Sequence, residues 1–281
     1  MLWVSEGLSV YYEYLIVKRA GISTEAELFN ALRGNMIAFE NKPGRLYQTL
    51  EQASYETWSD GPFGRTGDEV NKTISYYDKG PAVGLLFDLK IRQLTKDQKS
   101  LDDVMRFLYK EYYQKKKKGF TEEELRKAFE TVAGSSLADE FEYITTTKEL
   151  DYPTYFNYAG LNIDTTTQAL PGAYAGFTLR EREDSVFIAN VDYESPGWNA
   201  GIRRGQLLVK INGERSSANL FNKIITSARP GDKISFTLFI NGVPKDIEVI
   251  LGQKTEKGFK ITPAANPDPL QKQILEGWLK G

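Results

Sequence analysis

The chain has 281 residues, 41% of them apolar and 26% charged, the balance of an ordinary globular protein; single cores seldom grow much beyond about 250 residues, so two domains are expected. Its 36 basic and 38 acidic side chains nearly cancel, which excludes the electrostatic footprint of a nucleic-acid or anionic-lipid binder, and no stretch reaches the roughly eighteen apolar residues that span a bilayer. With neither cysteine nor histidine, the sequence excludes disulfides, thiolate metal sites and any H-E-x-x-H helix, and it leaves the compartment, cytoplasmic or periplasmic, open.

The first element, Leu2-Trp3-Val4-Ser5-Glu6-Gly7-Leu8 followed by Val10-Tyr11-Tyr12-Glu13-Tyr14, reads as an aromatic-rich helix starting near Ser5 and closing at Gly21. Glu6 falls in its first turn, where a carboxylate suits the helix dipole, and Gly7 leaves room for another element to approach. The helical pattern continues to about Thr145. Thr24-x-x-Glu27, Ser100-x-x-Asp103, Thr121-x-x-Glu124 and Ser136-x-x-Asp139 resemble capping boxes, while Pro43-Gly44, Gly119 and Gly134 supply stops. Between Arg45 and Thr73 lies a long polar and aromatic connection with Gly61-Pro62-Phe63-Gly64 and Gly67-Asp68 in its middle, a length that in compact domains marks functional or mobile segments.

Next comes Ile74-Ser75-Tyr76-Tyr77-Asp78-Lys79-Gly80, at the start of a helix running to about Leu94. A tyrosine there is either an aromatic packing at a helix start or a neutral donor aimed at developing negative charge. The run Lys115 to Lys118 follows a helix and reads as a solvated helix end. Residues 1–150 are thus a helical lobe, and 151–158, around Asp151-Tyr152-Pro153, are a linker.

From Ala159 the period becomes two. Strands are expected over Ser185–Val191, Gln206–Ile211, Lys233–Ile240 and Asp246–Ile250, with tight turns at Asn212-Gly213 and Asn241-Gly242. A helix over Ala218 to Ala228 carries Leu220, Phe221, Ile224 and Ile225 on its apolar face. Residues 159–262 form this β domain, and 263–281 a tail with a short helix that docks Trp278.

W-x-x-E-G ahead of an aromatic helix resembles the third-ligand helix of the gluzincin peptidases, and Tyr77-Asp78-Lys79-Gly80 is similar to their Y-x-K-G segment. Tyr174-Ala175-Gly176-Phe177 matches the x-Φ-G-Φ loop of PDZ domains, and Ser195-Pro196-Gly197 through Gly205 resembles the turn of bacterial PDZ domains, with Gln206 where aspartate is usual. In this order the segments resemble the glycyl aminopeptidase family. The implied fold is α+β in two domains, the helical lobe of a gluzincin (thermolysin-like) catalytic domain followed by a PDZ-like β domain.

The resemblance implies metal-assisted peptide hydrolysis with N-terminal glycine or alanine favoured. Zinc would be held by Glu6 and two histidines about twenty residues upstream, and Tyr77, with Tyr76 as the fallback, would steady the oxyanion. Lacking those histidines, this chain is expected to be the C-terminal portion of such an enzyme, binding no zinc and hydrolysing nothing alone. The PDZ groove would be formed by Tyr174, Ala175, Gly176, Phe177 and Leu179 with Leu220 and Ile224 opposite, taking a C-terminal peptide; Ala175 makes a shallow pocket. The competing reading is a non-catalytic scaffold for a peptide-binding PDZ domain, and peptide or protein ligands are the expected partners in either case.

Overall fold

The structure is a computed structural model and describes residues 1–59 and 71–280; the signals Gly61-Pro62-Phe63-Gly64 and Gly67-Asp68 lie outside the described residues. In chain order the helices are α1 (Ser9–Arg19), preceded by a π-helical segment Trp3–Leu8, then α2 (Glu25–Glu40), α3 (Leu50–Glu56), α4 (Tyr76–Leu94) and α5 (Leu101–Leu108). A second π-helical segment, Tyr109–Lys116, leads to α6 (Glu122–Ala133), α7 (Ala138–Thr145), α8 (Tyr152–Tyr158), α9 (Pro196–Asn199), α10 (Ala218–Ser227) and α11 (Pro269–Lys280). The strands are β1 (Leu161–Asp164), β2 (Thr167–Ala169), β3 (Phe177–Arg182), β4 (Ser185–Val191), β5 (Leu207–Ile211), β6 (Glu214–Arg215), β7 (Lys233–Ile240), β8 (Val243–Ile250), β9 (Thr255–Lys257) and β10 (Lys260–Pro263).

The chain divides into two units. Among the described residues, one comprises 1–59, Lys72–Thr166 and 257–280, the other Asn71 and Thr167–Glu256. The first is a helical lobe built around α4, whose residues from Lys79 to Leu89 are all buried, as befits a helix surrounded by others. Its midpoint carries a buried carboxylate, Asp88, which needs partners in a medium that penalises unpaired charge. It accepts from the Tyr11 hydroxyl at 2.6 Å, Arg92 Nε at 3.1 Å and the Leu101 N–H at 3.0 Å. Trp278 in turn donates its indole N–H to the Tyr11 oxygen at 2.8 Å, so α11 is a docked part of this core, with Trp278 fully buried.

Several boundaries differ from the sequence reading. Residues 152–158, read as linker, are α8: Asp151 caps it by accepting from Thr154 N, and Tyr152, Tyr155 and Phe156 recur at helical spacing and are buried. Residues 159–166 and 257–263 do not belong with the β domain. β1 pairs antiparallel with β10, Leu161 opposite Pro263 and Asp164 opposite Lys260, inside the helical unit, so the second unit is inserted between them. The connection Arg45 to Thr73 contains α3, started by a capping box of Thr49 and Gln52. The expected box at Ser136 does not form: the N-cap falls on Leu137, whose N–H donates to Glu130 Oε1, and Ser136 Oγ accepts from Ala138 N instead of Asp139 N. The stop expected at Gly119 falls on Lys117, in the left-handed region at φ 53°.

The second unit is an antiparallel sheet of order β3-β4-β5-β7-β8, with β6 paired to β5. Both Asn-Gly turns adopt positive φ at each residue, the condition for a two-residue hairpin turn that matches strand twist. Phe177, Phe221 and Phe236 meet at the centre of its core, with ring centroids 5.1 to 6.2 Å apart.

Candidate functional site

Trp3–Leu8 is wound as a π-helix, a local widening common where a helix must aim a side chain. Trp3 anchors it: the ring is buried and the backbone N–H donates to Ser54 Oγ at 3.0 Å. Four residues on, Gly7 meets Gly80 of α4 backbone to backbone. A Cβ added to Gly7 would lie 2.8 Å from Gly80 Cα, and one added to Gly80 would lie 2.6 Å from Gly7 Cα, so only glycine fits at either position. This contact places the first turn of α4 beside Glu6. The Tyr77 hydroxyl donates to Glu6 Oε2 at 3.0 Å.

That first turn is held from several sides. Ser75 caps it, its Oγ accepting from Tyr77 N at 3.1 Å. Pro81 lies four residues after Tyr77 and has no N–H to give the Tyr77 carbonyl; Asn35 Nδ2, from α2, supplies the missing donor at 3.1 Å. Asp78 pairs with Lys42 at 3.3 Å. Lys79 is 1% exposed, with its ammonium 5.3 Å from the Phe39 ring centroid. Burial pushes its pKa down to about 8, against the opposing charge of Glu40.

Of the two tyrosines named from the sequence, Tyr77 reaches Glu6. Tyr76 is half-buried against the lobe core, its ring tilted on that of Tyr77 with centroids 4.7 Å apart. The bond to the Glu6 carboxylate, with lesser contributions from burial and from the charge itself, pushes the Tyr77 phenol up to about 12. It therefore stays a protonated donor through the neutral range. The arrangement offers one carboxylate and one aimed hydroxyl. Among the described residues no group of three or more metal-ligating side chains occurs, and the sequence has no histidine.

In the second unit, the loop Tyr174-Ala175-Gly176-Phe177 rests on the turn at Ser195. Gly197 N donates to the Ala175 carbonyl at 2.8 Å, and Ser195 Oγ and Asp192 N donate to the Gly176 carbonyl at 3.1 and 2.8 Å. Among the described residues, the N–H groups of Ala175 and Gly176 have no acceptor. Gly176 has φ +80°, and a Cβ there would fall 2.0 Å from that of Ser195. β3 lies at the end of the sheet order, and α10 packs beside it, its start tied to β3 by Glu181 accepting from Ala218 N at 2.7 Å. Leu179, Leu220 and Ile224 are half-buried, whereas Ala175 and Phe177 are core residues. Gln206 keeps the turn bond expected of an aspartate, accepting from Arg203 N at 2.8 Å.

The close approach expected at Gly7 is made by Gly80, a partner that sequence reasoning does not name; Asn35 escapes it too, although Pro81 four residues after Tyr77 is a legible sign that an outside donor is needed.

Residues 1–83 match the family model of the M61 glycyl aminopeptidases, and residues 173–251 match that of PDZ domains. An aminopeptidase N family protein from Idiomarina loihiensis superposes with a TM-score of 0.79 at 19% identity, over 99% of this chain and 48% of its own; at that identity the likeness is one of fold. The periplasmic pH-dependent serine endoprotease DegQ of Escherichia coli is 32% identical over 101 residues, 34% of this chain and 22% of its own length. The chain thus spans about half the length of the first relative and about a fifth of the second. Along the chain, the stretch similar to the M61 glycyl aminopeptidases thus precedes the stretch similar to PDZ domains.

Proposed function

We propose that these residues are the C-terminal portion of a zinc-dependent aminopeptidase, in which Glu6 is one metal ligand and Tyr77 the hydroxyl that steadies negative charge on the substrate carbonyl oxygen. The observation that carries this reading is the 3.0 Å bond between Tyr77 and Glu6, two side chains 71 positions apart in sequence and singled out by separate motifs. The remaining ligands and the general base are supplied by a segment outside these residues that bears an H-E-x-x-H helix. The PDZ domain engages substrate or partner peptides, and the family supports a preference for N-terminal glycine or alanine.

The test compares the 281-residue chain with a polypeptide that also carries such a helix, using glycyl and alanyl p-nitroanilides and metal analysis. The chain alone is expected to retain no zinc and to show no chelator-sensitive hydrolysis. In the completed polypeptide, Glu6→Gln removes zinc, while Tyr77→Phe keeps zinc and lowers kcat by about a hundredfold. Chelator-sensitive turnover by the chain alone would overturn the reading.

The absence of histidine and of any three-ligand cluster among the described residues favours a second reading, a non-catalytic scaffold for a peptide-binding PDZ domain. Titration with peptides bearing free C-terminal carboxylates discriminates. A scaffold binds some of them through the unpaired Ala175 and Gly176 N–H groups, and amidation of the peptide abolishes that binding.

A further inference from the structure

The π-helical segment Tyr109–Lys116 carries features that neither the peptidase motifs nor the PDZ groove uses. Tyr109 and Tyr113, 53% and 64% exposed, stack on each other with centroids 5.2 Å apart. Tyr112 is buried and meets Phe120 edge-on at 5.7 Å. Together with Leu108 these rings line a cavity of about 520 Å³ that Lys117 and Lys118 border, within the size range of ligand pockets. In a chain of net charge −2, the segment and the residues after it carry Lys110, Lys115, Lys116, Lys117 and Lys118; Lys117 and Lys118 border the cavity itself, and Lys116 lies against the ring of Tyr112 that lines it. Glu111 takes Lys115 and Glu124 takes Lys118; Lys110, Lys116 and Lys117 make no close ion pair among the described residues, although, behind the bond from the Thr121 N–H, the charge of Lys116 also helps to hold the Glu124 carboxyl below its ordinary value. Lys116 lies 4.2 Å from the Tyr112 ring centroid and Lys117 5.8 Å from that of Tyr113.

Cations in a last helical turn suit the helix dipole, but that accounts neither for two exposed, stacked tyrosines nor for the apolar cavity beside them. Charge complementarity asks for an anionic partner. A bilayer would be met by a flat or protruding apolar face, whereas Leu108, Tyr112 and Phe120 are the least exposed residues of a concavity and suit an inserted side chain. We propose that this cavity docks an acidic peptide segment, one bulky apolar side chain entering against Leu108, Tyr112 and Phe120 while flanking carboxylates meet Lys116 and Lys117. The proposal stands independently of the peptidase reading.

The test titrates the full chain into a dye-labelled pentapeptide, Asp-Glu-Leu-Glu-Asp, with its C-terminus amidated so that no free carboxylate engages the PDZ loop. Saturable binding is expected near 50 mM salt, weakening about tenfold near 300 mM as screening grows. Lys116→Glu with Lys117→Glu is expected to weaken it at least about tenfold, and Lys116→Arg with Lys117→Arg to preserve it. Aromatic resonances of Tyr109, Tyr112 and Tyr113 in the unaltered chain should shift on titration, which localises the site even if the charge-reversed variant folds poorly. Absence of saturable binding, equal binding of Asn-Gln-Leu-Gln-Asn, or binding only to vesicles rich in phosphatidylserine would each overturn the proposal.

Discussion

The bond between the Tyr77 hydroxyl and Glu6 has a measurable signature: a phenol facing a carboxylate ionises late. Tyr77 is expected to titrate near pH 12, and Glu6→Gln, which removes the charge, should bring it back toward the ordinary value of about 10; difference absorbance near 295 nm of that variant against the parent reads the change. The neighbouring glycines are the steric condition for this bond. Gly80→Ala or Gly7→Ala would drive a methyl into facing backbone at 2.6 to 2.8 Å, and each should cost about 3 kcal/mol in urea unfolding. Lys79 has a pH signature of its own. Its folded pKa of about 8 lies below the unfolded value of about 10.4, so between these values the unfolded chain holds a proton that the folded chain has lost. Stability therefore rises with pH across that window, by about 3 kcal/mol in all. Lys79→Met should flatten the rise when urea midpoints are compared at pH 7.5 and 9.5. Tyr11 and Tyr152, raised by burial, act in the opposite direction only above about pH 10.

Between helices, the informative contact is the one that α2 lends to α4. If Asn35 serves to replace the N–H that Pro81 lacks, then Asn35→Ala should cost about 1 kcal/mol in the parent and close to nothing once Pro81→Ala restores the intrahelical bond; a double-mutant cycle in urea measures the coupling. Regular helices and strands were largely legible because their signals are local. The boxes at Thr24, Ser100 and Thr121 form, β4 and β7 span the residues that alternation marks, and helix α4 ends at Leu94 as its periodicity requires. The failures have a different cause. Ser136 accepts from Ala138 N, one residue short of the box partner, while Glu130 of the preceding helix takes the Leu137 N–H. The π-helical windings at Trp3 and Tyr109 depart from the 3.6 period that sequence reading assumes. Glu6 and Tyr77, which the structure brings within hydrogen-bond distance, were each singled out by a motif, whereas Asn35 carries no signal of its own and acquires meaning only from the position of Pro81.

For the molecule as a whole, the insertion of the PDZ domain between β1 and β10 decides what can be removed. Replacing Thr167–Glu256 with a short glycine-serine link should leave a cooperatively folded helical lobe, because β1 and β10 still pair. Ending the chain at Glu256 should instead leave the PDZ unit intact and the lobe protease-sensitive, since β10 and the buried Ile274, Trp278 and Leu279 are lost; limited proteolysis of both variants checks the pair of outcomes. The sequence could not reveal this nesting, because the change of period near Ala159 marks where strands begin and not which unit they join. The indole of Trp278 and the hydroxyl of Tyr11 that it reaches are 267 positions apart. During synthesis Tyr11 must therefore wait for 267 further codons before Trp278 can reach it. The sheet of the inserted unit pairs strands of its own span, and the residue that joins it from outside, Asn71, precedes it in synthesis, so this unit is free to fold first. A nascent chain stalled inside it would display an open helical lobe, the species for which chaperone attention is most needed.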